Sequence, residues 1–168
     1  KVVDDAGNEV PRGTLGKLAV MGPTGCRYFD DARQLNYVKQ AWNYPGDAFI
    51  QDEEGYFCYQ ARDDDMIITA GYNVGAPEVE DALLKHAAGS ECAVIGQKDE
   101  ERGMVVRAFV VLKPDFAAND TMTKSLQDHV KATIAPYKYP RIVSFVEKLP
   151  RTETGKLQRF KLKQESHT

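Results

Sequence analysis

The sequence predicts an α+β protein, a small sheet flanked by helices and preceded by a β-rich segment. Three observations carry that expectation. Residues 1 to 60 hold short apolar runs cut by turn compositions; beyond residue 65, strand-like runs alternate with stretches of helical period; and 42% hydrophobic with 10% aromatic content over 168 residues is enough to bury a core.

In the first segment LGKLAVMG (15–22) and DAFIQ (47–51) read as strands, separated by DDAGNE, GPTG, NYPGD and DEEG, all turn material. Because the chain starts inside a running β region, it is expected to be a piece of a longer protein. ARDDD (61–65) sets three carboxylates in a row beside Arg62 and is expected to be an exposed connection, since adjacent like charges resist burial.

The second segment opens with MIITAGYNV (66–74), a strand and a turn. Pro77 starts a helix with Glu78, Glu80 and Asp81 near its positive end and Val79, Ala82 and Leu83 on its apolar face. ECAVIGQ (91–97) and MVVRAFVVL (104–112) follow as strands, the second so continuously apolar that it is expected to be central. A helix over 123–135 puts Leu126, Val130 and Ile134 on one stripe before Pro136 stops it. RIVSFVE (141–147) is a third strand and LQRFKLKQ (157–164) a short terminal helix. About 100 residues in this order form a module able to fold alone.

Several function classes drop out. No apolar run approaches the roughly 20 residues of a membrane span, and KVVDDAGNEV lacks the layout of a signal peptide. The expectation is a soluble, cytoplasmic protein. Cys26, Cys58 and Cys92 form no CxxC pair and His86, His129 and His167 are scattered, which argues against a disulfide framework and a zinc site; no metal ligands are assigned. GxSxG and GxGxxG are absent. Net charge is −3, but residues 131–168 hold nine Lys/Arg against three Glu, so the basic end either solubilises the chain or faces an anion.

PRTETGKLQR (150–159) raises the sharpest question. Thr152, Thr154 and Gly155 are turn formers, so Lys156 rides on a projecting loop near the end of the chain. A Walker loop would need glycine at Pro150 and Ser or Thr at Leu157, so that reading fails. On these residues alone, Lys156 is a solvated lysine on a tail loop.

Four stretches taken together give a different context: YPGD (44–47), ARDDDMIITAGYNVGAPEVE (61–80), APYKYPR (135–141) and PRTETGK (150–156). In this order they resemble the acyl-CoA synthetases of the adenylate-forming superfamily, with the luciferases and peptide-synthetase adenylation domains, and the resemblance covers essentially the whole chain. It implies an enzyme that uses ATP to convert a carboxylic acid to an acyl-adenylate and then lets coenzyme A displace AMP. It implies residues 1–63 as the end of a large N-terminal domain and 64–168 as a mobile C-terminal lid, with ATP, coenzyme A and Mg²⁺ as cofactors, the metal held mainly by the absent domain. The chain's partners would be its own N-terminal domain and a small carboxylic acid.

Residue by residue, the resemblance places Asp47 on the ribose hydroxyls, a task suited to a carboxylate that accepts two hydrogen bonds. It places Arg62 beside the nucleotide, although Ala61 stands where many relatives have glycine. It makes Asp64 the hinge about which the lid turns, and puts the backbone of Gly71 along the coenzyme A tunnel, with Asn73 where relatives often carry arginine. Lys156 matches the lysine that the lid inserts between acid and nucleotide, where negative charge accumulates as the carboxylate attacks the α-phosphate. Pro136 and Pro140 set a bend, and Lys138 and Arg141 add to an anion-attracting surface for coenzyme A phosphates.

The four stretches look most like 2-aminobenzoate or benzoate CoA ligases, with medium-chain fatty acyl-CoA synthetases the alternative; the acid pocket would lie outside this chain. The family's phosphate loop and adenine pocket are not present here, so the chain is expected to be inactive alone. A non-catalytic regulatory module is the reading from a different class. Nucleic-acid binding is disfavoured by the acidic remainder and by strands without interleaved basic and aromatic residues.

Overall fold

The computed structural model describes residues 1–23, 30, 32 and 34–165; Cys26 and His167 lie outside them. The chain divides into two units, Lys1–Asp64 and Asp65–Thr168.

The first unit contains β1 (Val2–Val3), β2 (Leu15–Leu18), one helical turn α1 (Gln34–Tyr37), β3 (Val38–Lys39), β4 (Trp42–Asn43), β5 (Asp47–Gln51) and β6 (Phe57–Arg62). Antiparallel pairing gives a sheet in the order β1-β2-β5-β6, with β3 and β4 as a separate hairpin. Val2, Val3, Ala19, Ala48 and Ala61 are its buried residues. The sheet extends further toward the carboxylate run than the sequence suggests. Ala61 and Arg62 are not a connection but the last residues of β6, because Arg62 pairs across the sheet with Asp47.

The second unit begins with the hairpin β7 (Met66–Thr69) and β8 (Tyr72–Gly75), then α2 (Ala76–Leu84), β9 (Gly89–Asp99), β10 (Gly103–Leu112), α3 (Asp120–Thr133), β11 (Ile142–Phe145) and α4 (Arg159–Glu165). β10 is central as expected. It pairs antiparallel with β9 along its whole length, parallel with β11 at residues 107–110, and meets β7 at Gly103. Its run of apolar residues serves two cores. Val106, Ala108 and Val110 pack with Val79 and Leu83 of α2 and with Leu126 and Val130 of α3, whereas Phe109 packs with Ala93, Ile95, Leu149 and Leu162. A strand covered on both faces cannot show the alternation of a half-exposed one.

Pro77 lies in the first turn of α2, where its missing N–H is no loss, and Glu78 is the acidic residue of that turn. Glu80, expected to join it, does other work: its Oε1 accepts the Val94 N–H at 2.8 Å. α3 starts three residues before the apolar stripe suggests, because Asn119 caps it by accepting the Met122 N–H at 2.9 Å.

The carboxylate run also needs correction. Asp63–Asp65 form a short 3-10 turn, and Asp65 is not exposed: it is 15% accessible and accepts from Lys163 at 2.7 Å, with Arg159 at 4.0 Å. Two cations from α4 offset the burial that like charges would otherwise resist. The terminal helix is thus part of the fold. Leu162 is 2% exposed, and its place in the second core ties down the segment that carries Lys156.

Candidate functional site

The candidate residues fall in two places. Asp47, Arg62 and Asp64 stand together in the first unit, while Gly71 and Lys156 sit on separate loops of the second.

The first group is built by the β5–β6 pair. The turn Tyr44-Pro45-Gly46 delivers Asp47 opposite Arg62, whose Nη1 donates to Asp47 Oδ1 at 3.2 Å and to the Pro45 carbonyl at 2.8 Å. The guanidinium lies flat on the turn, and Gly46 makes room for it: a Cβ there would stand 2.9 Å from Arg62 Nη2. Asp64 Oδ1 approaches Arg62 Nε at 3.6 Å. Partial burial opposes the charge on Arg62, and Asp47 and Asp64 outweigh it, so its pKa is raised above the ordinary value. Asp47, 26% exposed, is thereby held as an oriented acceptor.

Beside this corner a cleft of about 310 Å³ is lined by Lys17, Tyr44, Gly46 and Asp63 among others. Lys17 bridges Asp5 at 2.9 Å and Asp63 at 3.1 Å, and hydrogen bonds to these two raise its pKa. Its charge is matched from two sides.

Gly71 occupies the two-residue loop of the β7–β8 hairpin. Ala70 (φ 48°) and Gly71 (φ 83°) are both left-handed, the backbone of a type I′ turn. A Cβ on Gly71 would meet nothing within 4 Å, so what demands glycine inside this chain is the dihedral angle, not crowding.

Lys156 lies at the far end of a tight loop. Arg151 and Leu157 form an isolated antiparallel bridge, and Gln158 N–H donates to the Pro150 carbonyl at 2.9 Å. Between them Thr152 makes a double connection to Lys156: its N–H donates to the Lys156 carbonyl at 2.8 Å, and its Oγ1 accepts the Lys156 N–H at 3.0 Å. Leu157 packs against the second core. Lys156 itself is exposed, and among the described residues no carboxylate pairs with its ammonium. The loop holds an unneutralised cation out from a fixed base.

Lys138 departs from the expected phosphate-facing role. Its ammonium bonds both oxygens of Glu78, at 2.7 and 2.6 Å, and is 17% exposed, so its charge belongs to the α2 contact. Arg141 Nη1 donates to the Tyr139 hydroxyl at 2.9 Å. Arg151 and Thr152, inside the PRTETGK stretch, and Glu91, outside all four family stretches, shape the Lys156 loop. For Thr152 the hint in the sequence is its place four residues before Lys156, a spacing at which a hydroxyl can bond the backbone of its own loop.

Residues 78–156 match the family described as the AMP-binding enzyme C-terminal domain. The chain is 46% identical over 97% of its length to human acyl-coenzyme A synthetase ACSM2B, mitochondrial, covering 30% of that protein, and 40% identical to benzoate–CoA ligase of Thauera aromatica, covering 32%. The chain belongs to the AMP-binding, adenylate-forming enzyme family. Among solved members, the anthranilate CoA ligase AuaEII in complex with anthranoyl-AMP superposes with a TM-score of 0.88 over 99% of this chain, at 37% identity and covering 33% of AuaEII. A benzoate CoA ligase from Burkholderia xenovorans gives 0.81 at 38% identity. The chain thus spans about a third of the length of these AMP-binding enzymes. Its α+β fold is that of their C-terminal domains.

Proposed function

We propose that this chain is the C-terminal third of an AMP-forming acid–CoA ligase, and that Lys156 is its adenylation lysine. The observation that carries the proposal is the exposed ammonium, without a carboxylate partner among the described residues, on a braced Thr-Gly loop in a chain of this family. In the first half-reaction the substrate carboxylate attacks the α-phosphate of ATP and pyrophosphate leaves; Lys156 stabilises the charge gathered between acid and nucleotide. In the second, the thiol of coenzyme A attacks the acyl carbonyl and AMP departs. Closing the site matters in both, because an exposed acyl-adenylate hydrolyses.

In this reading Asp47, oriented by Arg62, accepts hydrogen bonds from the ribose hydroxyls, and Asp64 is the hinge between a remnant of the large domain (1–63) and the lid (64–168). The 3-10 turn at Asp63–Asp65 supports the hinge, being short and exposed at Asp64. Gly71 would line the path of the coenzyme A thiol. The Mg²⁺ that accompanies ATP would be held mainly by the rest of the ligase. No helix among the described residues is long and apolar enough to cross a membrane. A cytoplasmic location is our proposal, resting on free cysteines without disulfide spacing; several relatives carry mitochondrial names.

For the acid we propose 2-aminobenzoate or benzoate, supported by the similarity to the anthranilate and benzoate ligases. A medium-chain fatty acid is the second reading; relatives named acyl-coenzyme A synthetases stand at 46% and 42% identity. The test uses the full-length ligase that carries this chain. Lys156→Ala should lower acid-dependent pyrophosphate exchange by roughly a hundredfold to a thousandfold, while thioester formation from supplied acyl-adenylate survives. Exchange at the wild-type rate would refute the assignment, and the best acid in the wild type among 2-aminobenzoate, benzoate and octanoate identifies the substrate class. Turnover by residues 1–168 alone would overturn the proposal that this part is inactive by itself.

A further inference from the structure

The peptide group joining Gly155 to Lys156 is held at both of its polar ends. Its N–H donates to Thr152 Oγ1 at 3.0 Å, and its carbonyl oxygen accepts from Arg151 Nη1 at 2.9 Å. The other arm of Arg151, Nη2, donates to Glu91 on β9. Gly155 has φ 83°, and next to such a residue the easiest distortion is a rotation of the peptide plane, which leaves the Cα atoms nearly in place. That rotation would re-aim the Cα–Cβ bond of Lys156. It requires breaking both bonds at once.

We infer that Arg151 is a positioning residue: bridging Glu91 to the Gly155 carbonyl, it fixes the peptide plane from which Lys156 extends. Two facts favour a directional role over a stabilising one. Arg151 and Glu91 are 45% and 46% exposed, and an exposed pair of this kind contributes little to stability. Among the described residues Lys156 has no carboxylate partner to orient it, so its direction comes from its backbone, and a group that must meet a transition state loses rate steeply when displaced. Lysine at position 151 could not replace arginine, because one ammonium cannot reproduce the planar fork that reaches two acceptors on different elements.

This inference rests on the proposed role of Lys156, and its test separates the two. In the full-length ligase, Arg151→Met should lower kcat of pyrophosphate exchange roughly tenfold to a hundredfold. The KM for ATP and acid should stay within about twofold, with the melting temperature and thioester formation from supplied acyl-adenylate unchanged. Combined with Lys156→Ala, Arg151→Met should add no further loss, since a residue acting through Lys156 has nothing left to position. Glu91→Ala, which frees the far end of the bridge, should reproduce the kcat loss in smaller measure and decides the matter if Arg151→Met unfolds. Wild-type exchange in both bridge variants, beside a collapsed Lys156→Ala, overturns the inference and leaves the function standing. Losses that multiply in the double variant overturn it too, because Arg151 would then act independently of Lys156. Normal exchange in Lys156→Ala removes the function itself.

Discussion

Arg159 on α4 donates through Nη2 to both carboxylate oxygens of Glu80 on α2, at 2.7 and 2.8 Å, with the side chains 23% and 14% exposed. Because Glu80 Oε1 also accepts the Val94 N–H, one carboxylate joins α2, β9 and α4. Removing one partner strands the other in a poorly hydrated place, which is more damaging than losing an exposed pair. Glu80→Ala should lower unfolding stability by about 3 kcal/mol. Asp128→Ala, which breaks the exposed pair with Lys131, should cost about 0.5 kcal/mol. Urea midpoints of this chain compare them directly, and equal small shifts would show that the α4 clamp contributes little.

The same carboxylate bears on the cysteines. Cys92 Sγ donates to the Glu80 backbone carbonyl at 3.4 Å, and burial, followed by the charges of Glu80 and Asp81, pushes its pKa up to about 12. A thiol held that high carries almost no thiolate at neutral pH. Cys58 is exposed. Peptide mapping after brief alkylation of the folded chain should find Cys58 modified and Cys92 untouched; rapid labelling of Cys92 would contradict the packing around α2.

The fold was readable wherever one physical requirement dominated a stretch. Continuous apolar residues in β10 announced a strand covered on both faces, and Pro77 announced a helix start. What escaped were features settled by partners distant in sequence. Asp65 reads as exposed because its neighbours are carboxylates, and only α4, nearly a hundred residues away, supplies Lys163 and Arg159 to neutralise it. Nothing local likewise links Glu78, read as a helix-start carboxylate, to Lys138, read as part of an anion-attracting surface, until α2 and the bend before β11 bring them together. For the candidate site, the motifs name Asp47, Arg62 and Lys156 one by one as candidates, and their roles are our proposal. The Arg151 bridge was not legible, because no local pattern links position 151 to Glu91.

The β7–β8 loop allows two explanations of Gly71 to be separated. Since open space surrounds the position of a Cβ, Gly71→Ala in this chain should cost about 1 kcal/mol from its left-handed φ alone. Ala70 carries the same strain, and Ala70→Asn, a residue at ease in that region, should stabilise by a few tenths to about 1 kcal/mol. Denaturation curves of the two variants check both signs. If Gly71 also lines the path to the thiol, the thioester half-reaction of Gly71→Ala in the full-length ligase should fall while pyrophosphate exchange is retained. Retention of both half-reactions would leave only the turn as the reason for glycine.

His86 predicts how stability responds to acid. Its Nδ1 accepts the Ala88 N–H at 3.2 Å, which requires the neutral ring with the proton on Nε2, facing Ser125 Oγ at 3.1 Å. Protonation would set two donors against each other. Burial, and then the charge on His129 whose ring lies 5.2 Å away edge to face, holds the His86 pKa below its ordinary value of 6.5. A base with a lowered folded pKa takes its proton more readily when unfolded. Stability is therefore full above about pH 6.5, declines as pH falls through that value, and levels off below the folded pKa. Melting temperatures of this chain from about pH 8 to about pH 5 should show that decline. In His86→Gln the decline should flatten, because the titrating group is gone while an amide can still donate to Ser125. An unaltered profile in the variant would assign the acid sensitivity to other groups and leave the His86 ring no part in it.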